Sequence, residues 1–327
     1  MSDLTSTTHG RLAPPASIYV IHENGVWVEP LRAALEEVGV PFAEWFLDEG
    51  VVPFEEDAPP GVFYNRMSAS SHIRGHRYGP ELTHAVLNWL ERDRRRVING
   101  SRALYLEISK LAQYAGLQRF QIHTPRTQAA VGRDAVLTVA KGFGPGPFLL
   151  KPNRGGSGRG VRLFSAPDEV AAFLDAPDTE LPIDGIWLVQ EFIQGLEPVV
   201  IRCEFVGRRF LYALRIETGG GFELCPADVC VVEGTGRTEP TFDITHAFDR
   251  HPIIEAYGRF LQANQIEIAG IEFIQDHAGT LHTYDVNTNT NYNADAEARS
   301  GVPVTGMQAI ARLLADALRA EAVPRAT

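Results

Sequence analysis

Lys151 closes a short apolar run, Phe148-Leu149-Leu150-Lys151, and a glycine-rich stretch follows it, Pro152-Asn153-Arg154-Gly155-Gly156-Ser157-Gly158-Arg159-Gly160. Strand character returns at residues 161–164. A strand, a turn of permissive residues and a second strand can fold over a polyphosphate, with main-chain N–H groups turned inward and cations beside them. The stretch is not a P-loop, because no Gly-Lys-Ser/Thr opens a helix. Nor is it the dinucleotide fingerprint, which needs Gly-x-Gly-x-x-Gly at a helix start. An ordinary flexible hairpin is the plain alternative. A second group lies downstream. Asp285 and Asn287 are two apart in the strand-like Tyr284-Asp285-Val286-Asn287, so they share a face. Glu272 sits between apolar neighbours on the strand before it, where an unpaired carboxylate is costly and calls for a cation. Two carboxylates and an amide oxygen form a hard oxygen shell suited to Mg²⁺. Arg202 and Arg215 fall on neighbouring strands and could clamp phosphate through paired donors. Read structurally, the same residues make an ion pair with Arg202 or Arg215 and an asparagine turn.

The elements that would position these groups alternate in kind. Strands are expected at residues 17–22, 40–46 and 61–65, with a helix over 27–38 that has Pro30 in its first turn and Gly39 at its end. This is a small α/β unit with a parallel sheet. Residues 66–77 form a polar loop carrying Arg66, His72, Arg74, His76 and Arg77. It reads either as a solvated surface or, following a strand's C-terminal end, as an anion-binding rim for a carboxylated substrate. A helix over 80–94 ends in Arg92, Arg94, Arg95 and Arg96, a cationic cap on its dipole. A strand at 97–99 leads to a helix from Ser101 to about residue 115, and Lys110 within it reads as a surface lysine. Ser165 and Asp168 suggest a capping box. Strands follow at 186–193, 199–206 and 210–218, the last two joined by Gly207-Arg208-Arg209. Residues 219–236 form a long loop. A helix over 252–262, strands at 267–275 and 281–287, an Asn/Thr-rich loop at 288–293 and a last helix capped by Thr305 complete the chain.

Bulk properties bound the function. The 327 residues suffice for two domains, and 44% apolar content is enough for a full core. A net charge of −11 argues against duplex nucleic acid as partner, though not against ATP in a local basic pocket. Cys203, Cys225 and Cys230 match no zinc spacing and read as reduced thiols of a cytoplasmic protein. No apolar run is long enough for a membrane span, and residues 1–16 read as a loose tail.

Taken together, the motifs resemble the ATP-grasp ligases, in the branch of the α-L-glutamate ligases (RimK-like) and the bacterial glutathione synthetases. The resemblance covers about residues 97–318. It implies an ATP-grasp fold, α/β in class with α+β lobes, behind an N-terminal Rossmann-like pre-ATP-grasp domain. The implied divisions are a tail to 16, the first domain over 17–100, a smaller lobe with the glycine lid over 101–190, a larger lobe with the metal site over 191–320, and a tail over 321–327. The resemblance implies that Lys110 and Lys151 hold phosphates and that Gly155, Gly156, Ser157, Gly158 and Gly160 close over them. Gln190, Glu191, Phe192 and Ile193 would meet adenine, and Glu197 the ribose. Glu272, Asp285 and Asn287 would hold Mg²⁺ or Mn²⁺. Arg202 and Arg215 would be catalytic, with Arg66, Arg74 and Asn289 as substrate candidates. Two departures stand out: Val200 replaces an aspartate before the first arginine, and Asp-Val-Asn replaces Glu-Val-Asn ahead of an asparagine-rich loop. The implied activity is ATP-dependent joining of a small-molecule or peptide carboxylate to an amine or thiol, through an acyl phosphate. The alternatives are a phosphotransferase and a nucleotide-binding regulator without turnover. A homo-oligomer is compatible with the sequence.

Overall fold

The computed structural model of the chain describes residues 17–144, 146–156, 158–217 and 240–322. Ser157, Cys225, Cys230, the first sixteen residues and the whole 219–236 loop lie outside the described residues. Three sheets organise the chain.

The first is wholly parallel. β1 (Ser17–His22), α1 (Glu29–Val38), β2 (Phe42–Phe46), β3 (Gly61–Asn65), α2 (Gly79–Arg92) and β4 (Arg96–Ile98) give the order β2-β1-β3-β4. α1 follows the expected pattern: Pro30 lies in its first turn, and Gly39 ends it at φ 72°, where a side chain would be strained. Two helices come next, α3 (Ser101–Glu107) and α4 (Lys110–Gln118). The single helix expected here is broken, because the Ser109 hydroxyl accepts the Ala112 N–H and starts a new N-terminus. Ser101 is not the cap of α3. Its N–H and hydroxyl are both taken by the Glu91 carboxylate, each at 2.7 Å.

The second sheet is antiparallel: β5 (Thr127–Ala130), β6 (Phe148–Pro152), β7 (Arg162–Phe164) and β8 (Trp187–Glu191), in the order β5-β8-β6-β7. It packs on α5 (Arg133–Phe143) and α6 (Pro167–Asp175) through Val136, Ala140, Phe148 and Val170. Glu169, not Asp168, reaches back to the Ser165 N–H, so the expected capping box is displaced by one residue.

The third sheet is antiparallel, β11-β10-β9-β12-β13, from β9 (Val199–Val206), β10 (Arg209–Glu217), β11 (Thr241–Thr245), β12 (Ile268–Gln275) and β13 (Leu281–Asn287). Alternation divides its residues cleanly. Ile201, Cys203, Ile271 and Phe273 face α7 (Pro252–Ala263), where Tyr257, Phe260 and Leu261 complete a core. Val200, Leu214 and Ile268 face the other way. α8 (Ala294–Ser300) and α9 (Gly306–Ala322) follow, and Ile310 and Leu314 of α9 fill the layer between this face and Ile18, Val20 and Val62 of the first sheet. The polar residues that continue this second face are therefore brought against the C-terminal ends of β1 and β3. Among the described residues no helix is long and apolar enough to cross a membrane.

Candidate active site

Strand register builds the centre of the site. Glu272 pairs with Arg202 on one side and with Asp285 on the other, so the three lie in one row across β9, β12 and β13. Glu204, Gly270 and Asn287 form the next row. The register slips between Glu272 and Phe273, which leaves Tyr284 unpaired between Thr283 and Asp285. Such a bulge re-aims side chains, and the Tyr284 hydroxyl donates to Glu272 Oε2 at 2.9 Å.

Arg202 is 3% exposed, and its donors reach Glu204 Oε1 (2.6 Å), Glu272 Oε1 (2.5 Å) and the Thr290 hydroxyl (2.6 Å). Burial alone would lower its pKa, but Glu204 and Glu272 outweigh it and hold it firmly charged. Gly270 makes this possible: a Cβ there would lie 2.6 Å from the guanidinium carbon. Glu272 is pushed above the usual carboxylate range by burial, with Asp285 adding to the rise against the opposing pull of Arg202. Asn287 donates to Glu272 Oε1 at 3.4 Å.

The two lysines differ. Lys110 opens α4 and its Nζ meets Asp285 Oδ1 at 2.6 Å, so it is not the surface group its helix suggested. Burial lowers its pKa, but Asp285 more than reverses this and the net shift is upward. Lys151 is 5% exposed, and the Tyr114 hydroxyl lies 2.8 Å from its Nζ. Burial first, then the neighbouring Lys110, pull its pKa down to about 7.

A cavity of about 620 Å³ brings these parts together. Lys151 and Gln190–Ile193 line it from the second sheet, and Gly156, Gly158 and Val161 from the glycine stretch. Arg202, Glu272, Asp285 and Asn287 line it from the third sheet. Glu197 and Asn289 are on its wall too, but Gly155, Gly160 and Lys110 are not. The side chain of Gln190 is turned to Tyr114 (3.0 Å) and Thr127 (2.8 Å), and Glu191 holds the Arg126 N–H at 2.6 Å.

Three arginines stand apart from the cavity wall. Arg215 is held on the surface by Glu197 (2.7 Å) and Glu217 (2.5 Å). Arg74 is bound through two donors to Glu23. Arg66 is buried behind the asparagine loop, so the exposed anion rim read over 66–77 is not formed by Arg66 or Arg74. Several site residues carried no local sequence signal: Glu107, held by Thr288 and raised in pKa mainly by burial; Glu204; and Asn291. Tyr114 was reachable, since it stands four residues after Lys110 on one helix face. Among the described residues no cluster of three or more His, Cys, Asp and Glu side chains could hold a metal ion, so the candidate donors are two acids and the Asn287 amide.

No family model matches the chain. Its sequence is 31% identical over 125 residues to a protein of Teredinibacter turnerae named probable alpha-L-glutamate ligase. That match spans 38% of this chain and only 40% of the relative. A protein of the same name from Xanthomonas oryzae pv. oryzae is 26% identical over 282 residues, 85% of this chain and 84% of its own. The structure of the ATP-grasp ligase PsnB with its minimal precursor superposes with TM-score 0.66 at 18% identity, over 93% of this chain and 100% of PsnB. A RimK domain ATP-grasp protein from Sphaerobacter thermophilus gives TM-score 0.63 at 16% identity, over 93% of this chain and 99% of that one. At such identities the structural likeness establishes the fold alone. The chain has the ATP-grasp fold, and over most of its length it is similar to proteins named probable alpha-L-glutamate ligase.

Proposed function

We propose that the protein is an ATP-dependent carboxylate–amine ligase working through an acyl phosphate. The observation that supports this most is the cavity whose wall carries both Lys151 and the row of Glu272 and Asp285. A carboxylate does not acylate an amine at neutral pH. Attack of its oxygen on the γ-phosphorus of ATP gives an acyl phosphate and releases ADP. Attack of an amine on the acyl carbon then forms the amide, and phosphate leaves with the electrons of the broken C–O bond.

The protein's part is placement and charge neutralisation. Lys151 meets the phosphates, Lys110 steadies Asp285 beside them, and Gly156, Gly158 and Val161 roof them and exclude water, which would hydrolyse the acyl phosphate. Gln190–Ile193 and Glu197 border the nucleoside. Glu272, Asp285 and Asn287 suit a divalent cation: all three offer hard oxygens, and the two acids stand opposite each other on paired strands. When bound, Mg²⁺ supplies charge stabilisation on the phosphate oxygens. Arg202 has its donors engaged by Glu204, Glu272 and Thr290, so its role is to hold the acid row rather than to grip a substrate carboxylate. Arg215 acts on the phosphoryl group only by leaving Glu197 and Glu217.

Incubation with MgATP, a panel of carboxylic acids and hydroxylamine tests the reading. ADP and a matching hydroxamate, formed only when an acid is present, are expected. A stable phosphorylated acid, or no ADP with any acid, contradicts it.

A further inference from the structure

Arg66 is the largest side chain among those fully buried, and no carboxylate pairs with it among the described residues. Its donors end on neutral atoms: Nε on Asn289 Oδ1 (3.1 Å), Nη2 on Asn291 Oδ1 (2.7 Å) and the Thr290 carbonyl (3.2 Å), and Nη1 on Met307 Sδ (4.0 Å). The Tyr64 ring lies beside it, 5.9 Å from ring centre to guanidinium carbon. Dipoles solvate such a charge without cancelling it. They also settle which way the two amides point, since the opposite orientation would set N–H against N–H. With both Oδ1 atoms turned to Arg66, the two –NH₂ groups are turned away from it. Asn289 and Asn291 line the cavity, and neither amide nitrogen has a partner among the described residues. The loop between them is fixed from the other side as well, because Arg202 donates to the Thr290 hydroxyl, which donates in turn to Glu204.

We propose that Asn289 and Asn291, oriented and polarised by Arg66, form the subsite for a carboxylate of the acid substrate, and that Arg66 is a positioning residue that never touches the ligand. The inference rests on the ligase reading above. Arg202, which lines the cavity, is neutralised by Glu204 and Glu272, and Arg74 and Arg154 are neutralised by Glu23 and Glu81. A relayed charge therefore replaces a direct one. Each amide dipole has its negative end on the guanidinium and its positive end toward the cavity, which suits an anionic oxygen.

Asn291→Asp separates this role from a purely structural one. It keeps the shape, places a carboxylate against Arg66 and so preserves the clamp. It also removes one pair of donors and cancels the relayed charge. Calorimetric titration of the full chain, first with Mg²⁺ and AMPPNP and then with L-glutamate as probe, reads both sites. The expected result is unchanged AMPPNP affinity, a melting temperature no lower than that of the natural protein, and L-glutamate binding weakened tenfold or more. Arg66→Lys, which keeps the charge but cannot hold both asparagines, should give an intermediate loss. Equal L-glutamate affinity in Asn291→Asp, or no saturable binding to the natural protein loaded with AMPPNP, overturns the subsite. Failure of AMPPNP to bind in the first titration overturns the ligase reading itself, and the subsite with it.

Discussion

Replacing Gly270 by alanine tests the acid row with a single added methyl group. Gly270 lies in β12 beneath the Arg202 guanidinium, and its Cβ would stand 2.6 Å from both Cζ and Nε of Arg202. Ordinary contact needs about 3.4 Å or more, so the guanidinium must move by roughly 1 Å. Its bonds to Glu204 and Glu272 are 2.6 and 2.5 Å and cannot both survive that shift. Losing a partner from a buried ion pair costs about 3 to 5 kcal/mol, and overpacking alone about 1 to 3. For an arginine displaced rather than deleted, about 2 to 3 kcal/mol of destabilisation is expected. Turnover should fall with it, because Glu272 loses its cation and its carboxyl rises further. Gly258→Ala, in the middle of α7 with nothing within 4 Å of the new Cβ, is the control. It should stabilise by about 0.5 to 1 kcal/mol through helix propensity alone. Urea unfolding followed by circular dichroism, with ADP release on the same samples, gives both readings. Natural stability and turnover in Gly270→Ala would refute the claim that Arg202 holds the row together.

The depressed Lys151 predicts a proton-linked step. Above pH 7 the amine is largely neutral before nucleotide arrives, and polyphosphate favours the charged form. ATP binding should therefore take up a proton at pH 8, and affinity should fall as pH rises from 7 to 9. Calorimetry in buffers of different ionisation enthalpy measures the uptake, and pH-independent affinity with no uptake contradicts it. Asp285→Asn should leave Lys110 without its counter-charge and lower both stability and the response to Mg²⁺. An unchanged magnesium activation curve speaks against Asp285 as a ligand.

How much of this was legible in the sequence depends on the range of the interaction. Asp285 and Asn287 were read onto one face because strand alternation is local, and the demand of Glu272 for a cation followed from its apolar neighbours. The choice of Arg202 over Arg215 as that cation did not follow, since only register decides it. Lys110 taken alone reads as a surface group, and only the resemblance puts it at the site, because the break at Ser109 depends on one hydroxyl choosing a cap. Arg66 was misread as exposed because its partners lie 223 to 225 residues away, in a loop whose asparagines look like turn formers. Glu204 was passed over for the same reason, as its hydroxyl partner is Thr290. Glu91 capping Ser101 shows the principle at short range: the side chain that satisfied the helix came from the preceding helix, not from the expected position.

The most direct test of the account is a crystal structure with Mg²⁺ and AMPPNP. The phosphates are expected between Lys151 Nζ and the row of Glu272 and Asp285, with Gly156 and Gly158 above them. A nucleotide bound anywhere else, or phosphates pointing away from that row, contradicts the account.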